Sequence, residues 1–135
     1  MKTTKLKIQM TNQIQNSKSQ KVYNLEERTA VFGENILVFV KMLHADPVNI
    51  ILIKQIVRSA TSIGANYMEA DTAESKKDFR HKIALCKKES KETLHWLRML
   101  AKASPNHKDK CRELWKEAHE LLLIFSSILL SKNNQ

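Results

Sequence analysis

Glycine and proline are nearly missing from this sequence, with two of each in 135 residues. The tight turns of a hairpin-built sheet depend on those residues, so their scarcity points to long helices with short connections. Aromatic residues make up 6% of the chain against 42% hydrophobic overall, which calls for a core of Leu, Ile, Val and Ala. The two cysteines, Cys86 and Cys111, have no CxxC spacing and fall on separate predicted helices. Free buried thiols fit that arrangement, as they fit a reducing cytoplasm. The longest uninterrupted apolar runs, Ile36 to Val40 and Leu121 to Phe125, are far too short to span a bilayer. The basic N-terminus lacks the apolar segment of a signal peptide, so a cytoplasmic protein with no membrane association is expected. Acidic residues are also few, 14 against 23 Lys and Arg, for a net charge of +9. Such a balance suits an anionic partner, and it also suits simple solubility.

The length is that of one domain with a self-sufficient core. Residues 1–22 hold five Lys and no acid among Gln, Asn, Thr and Ser, and read as a disordered basic tail. The bundle proper is expected over 23–132, with 133–135 a frayed C-terminus. Helix one is expected from Asn24, with Glu27 as its capping partner, to about His44. Its apolar set is Leu25, Phe32, Ile36, Phe39, Val40 and Leu43, with Val31, Val38 and Met42 in excess. Asp46-Pro47 is a cap followed by proline at the first helical position, opening a central helix that ends near Ala70. Gly64 inside it costs roughly 1 kcal/mol in propensity, which close approach of a neighbouring helix would justify and which chance would also explain. Ser75 is the candidate cap of helix three, which extends to about Ala103 with Phe79, Ile83, Cys86, Thr93, Leu97 and Leu100 facing the core. Ser104-Pro105 repeats the cap-and-proline signal and opens helix four from about Asn106 to Leu130. There Leu114, Ala118, Leu121, Phe125 and Ile128 face inward. Trp115, Leu122, Leu123, Ile124, Leu129 and Leu130 broaden that face beyond what one bundle needs. Short links between four helices predict an antiparallel up-down-up-down four-helix bundle. The surplus apolar surface on helices one and four predicts a homo-oligomer.

Three groups of residues are candidates for function. On the central helix Gln55, Arg58, Ser62, Asn66 and Glu69 fall within about 80° of arc. They form either a solvated stripe or a structural polar network, in which Arg58 would need Glu69, Glu89 or Glu92 as partner. The stripe offers no nucleophile with a base beside it and no metal cluster, so no catalytic residue is assigned. Glu92-x-x-His95 has the spacing of a di-iron ligand pair, with Glu34 and Glu69 on other helices. The second Glu-x-x-His that such a site requires is missing, and neither a metal nor another cofactor is expected. On helix three Lys77, Arg80, Lys87, Lys88, Lys91, Arg98 and Lys102 fall within about 100° of arc, with His81 and His95 at its edge. The stripe is about 38 Å long and no acid lies within it. Ordinary solvated helices mix charge signs in i,i+4 pairs, so this sorting suggests a polyanion-binding face; a face basic by chance is the alternative. No aromatic residue interleaves the stripe, so contact with the backbone and shape of structured RNA, or of DNA, is expected rather than base stacking.

Several separated motifs resemble one family in the same order. They are Leu25-Glu26-Glu27-Arg28-Thr29, then Arg58-Ser59-Ala60-Thr61-Ser62-Ile63-Gly64-Ala65-Asn66 with Glu69, then Asp78-Phe79 and Lys82-Ile83. Lys88-Glu89, Glu92-Thr93 and Trp96-Leu97 complete the set. This pattern, over about Tyr23 to Leu130, is similar to that of the 23S ribosomal RNA intervening-sequence proteins. That family often closes the central motif with Glu-Gly, where this chain has Glu69-Ala70. The resemblance implies an antiparallel four-helix bundle in a homopentameric ring, encoded in rRNA-gene insertions of some bacteria, with no established biochemical activity. It also implies kinship with basic accessory proteins of diversity-generating retroelements, which engage a reverse transcriptase and nucleic acid. Two readings follow: a non-enzymatic RNA-binding bundle, or a structural adaptor whose partner is a protein.

Overall fold

The computed structural model describes residues 24–133; the basic tail expected over 1–22, Tyr23 at the expected start of the bundle, and the last two residues lie outside that range. Four α-helices fill it: α1 (Leu25–Val40), α2 (Pro47–Asp71), α3 (Lys76–Ala103) and α4 (Lys108–Asn133). A single 3-10 turn, Pro105–His107, precedes α4. There is no strand among the described residues.

Local sequence signals account for most of the boundaries. The Asp46 carboxylate accepts a hydrogen bond from the Asn49 N–H at 2.7 Å, with Pro47 at the first helical position of α2. The Ser75 hydroxyl accepts from the Asp78 N–H at 3.0 Å and starts α3. Each satisfies one of the donors that a helix N-terminus leaves unpaired. Four expected ends differ. Asn24 precedes α1 without a side-chain capping bond, and only its carbonyl takes part, accepting from the Arg28 N–H. The first helix stops at Val40 rather than His44. Met42 and Leu43 donate to the carbonyls of Phe39 and Val40, a tightened turn that still buries Leu43. Ser104 does not cap α4. Its side chain lies inward, where its Oγ accepts from Asn49 Nδ2 at 3.1 Å, and the chain makes the 3-10 turn before α4 starts at Lys108. At the other end α4 continues to Asn133, past the expected Leu130.

The core is aliphatic, as the composition requires. Leu25, Phe32, Ile36, Phe39, Ile56, Ile63, Ile83, Leu97, Leu100, Leu121 and Phe125 are each at most 1% exposed. At that burial each contributes on the order of 1.5–3 kcal/mol through the hydrophobic effect. Helices α1 and α2 meet at Gly64, where an added Cβ would stand 3.4 Å from Thr29 Oγ1 and 3.5 Å from its backbone carbon. That is ordinary van der Waals distance, so a methyl group would fit there and the helix approach does not by itself require the glycine. Small hydroxyls seal other crossings. Ser59 and Thr93, both fully buried, share a hydrogen bond of 2.8 Å between α2 and α3.

Apolar side chains also remain on the surface. Leu37, Val38 and Met42 at the end of α1, with Val48, Ile50 and Ile51 at the start of α2, are between 40% and 65% exposed. Met68, Leu123 and Leu130 are similarly open. The sequence places the surplus on the first and fourth helices; α2 carries a share of it as well.

Candidate nucleic-acid interface

The outer face of α3 carries the densest charge of one sign. Lys77, Lys87, Lys88, Lys91, Arg98 and Lys102 are all exposed, and none has an ion-pair partner among the described residues. His81 and His95 are exposed beside them. Arg80, the remaining member of the stripe, is half-buried and donates through Nη1 to the Leu129 carbonyl at 2.9 Å. It therefore fastens the end of α4 to α3 as well as lying on the stripe.

The face is one-signed because the carboxylates of α3 are turned away from it. Glu89 and Glu92 both point to Arg58 on α2. Glu89 lies 3.4 Å from the guanidinium, and Glu92 is hydrogen-bonded to it. Gln55 Oε1 accepts from the same guanidinium at 3.2 Å, and Glu92 also accepts from Trp96 Nε1 at 3.0 Å. The Arg58 side chain is nonetheless 47% exposed. Of the α2 stripe, only Gln55 and Arg58 join this half-open interhelical cluster. Ser62 donates to the Arg58 carbonyl and Asn66 to the Ser62 carbonyl, each within α2. Glu69 pairs with Lys82 of α3 at 2.7 Å, and that hydrogen bond holds the Lys82 amine above its ordinary pKa.

A second arginine cluster lies outside the three groups that the sequence singles out. Arg28 of α1, only 4% exposed, forms a two-pronged pair with Glu117 of α4, with bonds of 2.7 and 2.9 Å, and also bonds Glu120. Burial alone would lower its pKa; the hydrogen bond and charge of Glu117, then those of Glu120, reverse this and hold it above the ordinary value. A sequence signal for it exists. Arg28 stands on the same face as Leu25 and Phe32, and Glu117 stands three residues from Leu114. A charge on an apolar stripe must find a partner or stay ionised at high cost.

Both cysteines are buried. Burial raises the Cys86 thiol to about 12 and the Cys111 thiol to about 11, so both stay protonated and poorly nucleophilic near neutrality. Glu92, half of the Glu-x-x-His pair, is engaged by Arg58 and Trp96, while His95 lies against the Trp96 ring at 4.8 Å. No group of three metal-ligating side chains occurs among the described residues. No helix among them is long and apolar enough to cross a membrane.

Comparison with known proteins agrees with this architecture. The 23S rRNA-intervening sequence protein family matches residues 21–127. A crystal structure of a protein of unknown function from the S23 ribosomal protein family of Bacteroides thetaiotaomicron VPI-5482 is 31% identical. Its match covers 77% of this chain and 96% of that one, with a TM-score of 0.71. No curated protein matches the chain.

Proposed function

The chain belongs to the 23S rRNA-intervening sequence protein family, and from that membership we propose a non-enzymatic oligomeric bundle that binds nucleic acid, RNA foremost, through its phosphates. The observation that carries this reading is the sorting of charge on α3. Six exposed cations lie on its outer face while Glu89 and Glu92 are held by Arg58 on the opposite flank. Spaced along about 38 Å of helix, those cations match a phosphate backbone rather than one small anion. Binding of this kind releases counterions and is steeply salt-dependent.

The helices are read as an up-down-up-down antiparallel bundle, since short links join neighbours that pack on one another. Its exposed apolar surface, at the α1–α2 corner and along α4, supports assembly of several copies, a pentameric ring being the arrangement that the family resemblance implies. A ring would repeat the basic face and strengthen binding through multivalency. Light scattering on a sizing column is expected to give a mass near five protomers; a sharp monomer peak at micromolar concentration would remove the ring.

The second reading is a cytoplasmic adaptor for a protein such as a retroelement reverse transcriptase, and the same exposed apolar corner favours it. Retention of the purified protein on immobilised RNA separates the two. Release by salt between about 50 and 200 mM supports RNA binding. Absence of retention, with capture of one dominant protein partner from cells, supports the adaptor.

A further inference from the structure

Beside the cationic face, α3 and α4 enclose a groove of about 430 Å³, within the roughly 300–1,000 Å³ typical of small-ligand sites. Its floor is apolar, formed by Leu97 of α3 with Cys111 and Trp115 of α4. Its rim is cationic: Arg98 on one side, and Lys108, Arg112 and Lys116 at successive i,i+4 positions on the other. Arg112 is paired with Asp109 at 3.3 Å, an exposed contact along the same helix. The other three cations have no ion-pair partner among the described residues. Trp115 is 37% exposed, an unusual place for an indole on a helical surface. His119 lies nearly parallel to it, with ring centroids 4.9 Å apart and 14° between planes. The stack fixes the tryptophan in place while part of its surface still lines the groove.

We propose that this groove holds one unpaired nucleotide of a bound RNA, its base on the apolar floor against Trp115 and its phosphates on the cationic rim. The inference rests on the RNA reading of the α3 face and names the feature of the RNA that is recognised. Two observations favour this occupant. First, the groove pairs a flat apolar surface with several positive charges, the complement of a base joined to phosphates. Second, the groove is continuous with the α3 stripe, because Arg98 belongs to both. A backbone tracked along Lys91 and Arg98 arrives at the rim. Unpaired RNA bases can leave the stack at bulges and loops and lie on aromatic side chains. The α3 stripe alone contains no aromatic residue for that purpose; the fold supplies one from α4.

The test uses the full chain and two labelled RNA hairpins of equal length, one fully paired and one with a single bulged nucleotide. The wild type is expected to bind the bulged hairpin about tenfold more tightly, the order of one base–aromatic stack. Trp115→Ala is expected to abolish that preference and Trp115→Phe to retain most of it. Because Trp115 lies outside the α3 stripe, affinity for the paired hairpin should be similar in all three proteins. Unchanged helix content and melting temperature would show that the alanine variant is folded. Equal binding of both hairpins by the wild type overturns the groove and leaves the RNA reading standing. A bulge preference that survives Trp115→Ala also overturns it. Failure to bind either hairpin overturns the RNA reading and this inference together. Without a bulge preference, Trp115-dependent binding of an acidic leucine-rich peptide would assign the groove to a protein, and such binding of free AMP would assign it to a mononucleotide.

Discussion

Two arginines in this bundle each face two glutamates, and they differ in almost everything else. Arg28 is 4% exposed and reaches from α1 to Glu117 and Glu120 on α4. Arg58 is 47% exposed and reaches from α2 to Glu89 and Glu92 on α3. A buried pair costs a great deal to break because its partner is left in poor solvent, whereas water compensates an exposed pair. Arg28 is therefore a structural pin between α1 and α4. Arg58 contributes less to stability; it pairs with Glu89 and Glu92 on the flank where the helical spacing of α3 already places them, away from the positive one.

The largest expected effect is that of Arg28→Ala. With Glu117 only 31% exposed, its removal should destabilise the fold by about 2–4 kcal/mol, toward the lower part of the range for broken buried pairs because Glu120 is half in water. Urea melts at matched protein concentration measure it. A change below about 1 kcal/mol would remove the distinction between the two arginines.

Alkaline pH gives the next effect, and it should act equally on wild type and on both arginine variants. Cys86 and Cys111 are raised from 9.0 to about 12 and about 11. Below pH 9 both thiols are neutral in folded and unfolded chains, so their contribution is fully present. Above it the unfolded chain ionises first, and stability falls by about 1.4 kcal/mol per pH unit for each thiol until the folded values are reached. Melts between pH 8 and 10.5 should show the decline; a flat profile would mean that the thiols are not buried.

Arg58→Ala should cost less than about 1 kcal/mol, and part of that cost should vanish in high salt. A cost above 2 kcal/mol would show that another copy of the chain covers Arg58. The smallest effect belongs to the triple variant Lys87→Glu, Lys91→Glu and Arg98→Glu. All three side chains are exposed, so its unfolding free energy should change by no more than about 0.5 kcal/mol in all.

The difference between the two arginines also separates what is legible in the sequence from what is not. Arg58 stands out because it is one of few charges on α2, and Glu89 and Glu92 are among its candidate partners. Whether the cluster is buried depends on how far α3 rolls over α2, which periodicity does not encode. The Arg28 pair joins residues 89 positions apart, and only the approach of α4 to α1 creates it. Helix starts with a local mechanism, Asp46-Pro47 and Ser75, are readable because the capping bond spans three residues. Ser104 misleads for the reverse reason: a partner 55 residues away, Asn49, holds its hydroxyl inside. The cationic stripe is readable because it lies on one helix, whereas the groove beside Trp115 requires two.

The central claim, that the outer face of α3 binds RNA through phosphates, is tested most directly by titrating structured RNA across a salt series. Wild type is compared with the Lys87→Glu, Lys91→Glu, Arg98→Glu variant. Affinity should fall sharply in the variant, and the slope of log K against log salt should become shallower by about 0.7–0.9 for each phosphate that the face no longer neutralises. A folded variant that binds with the wild-type affinity and slope would contradict the claim.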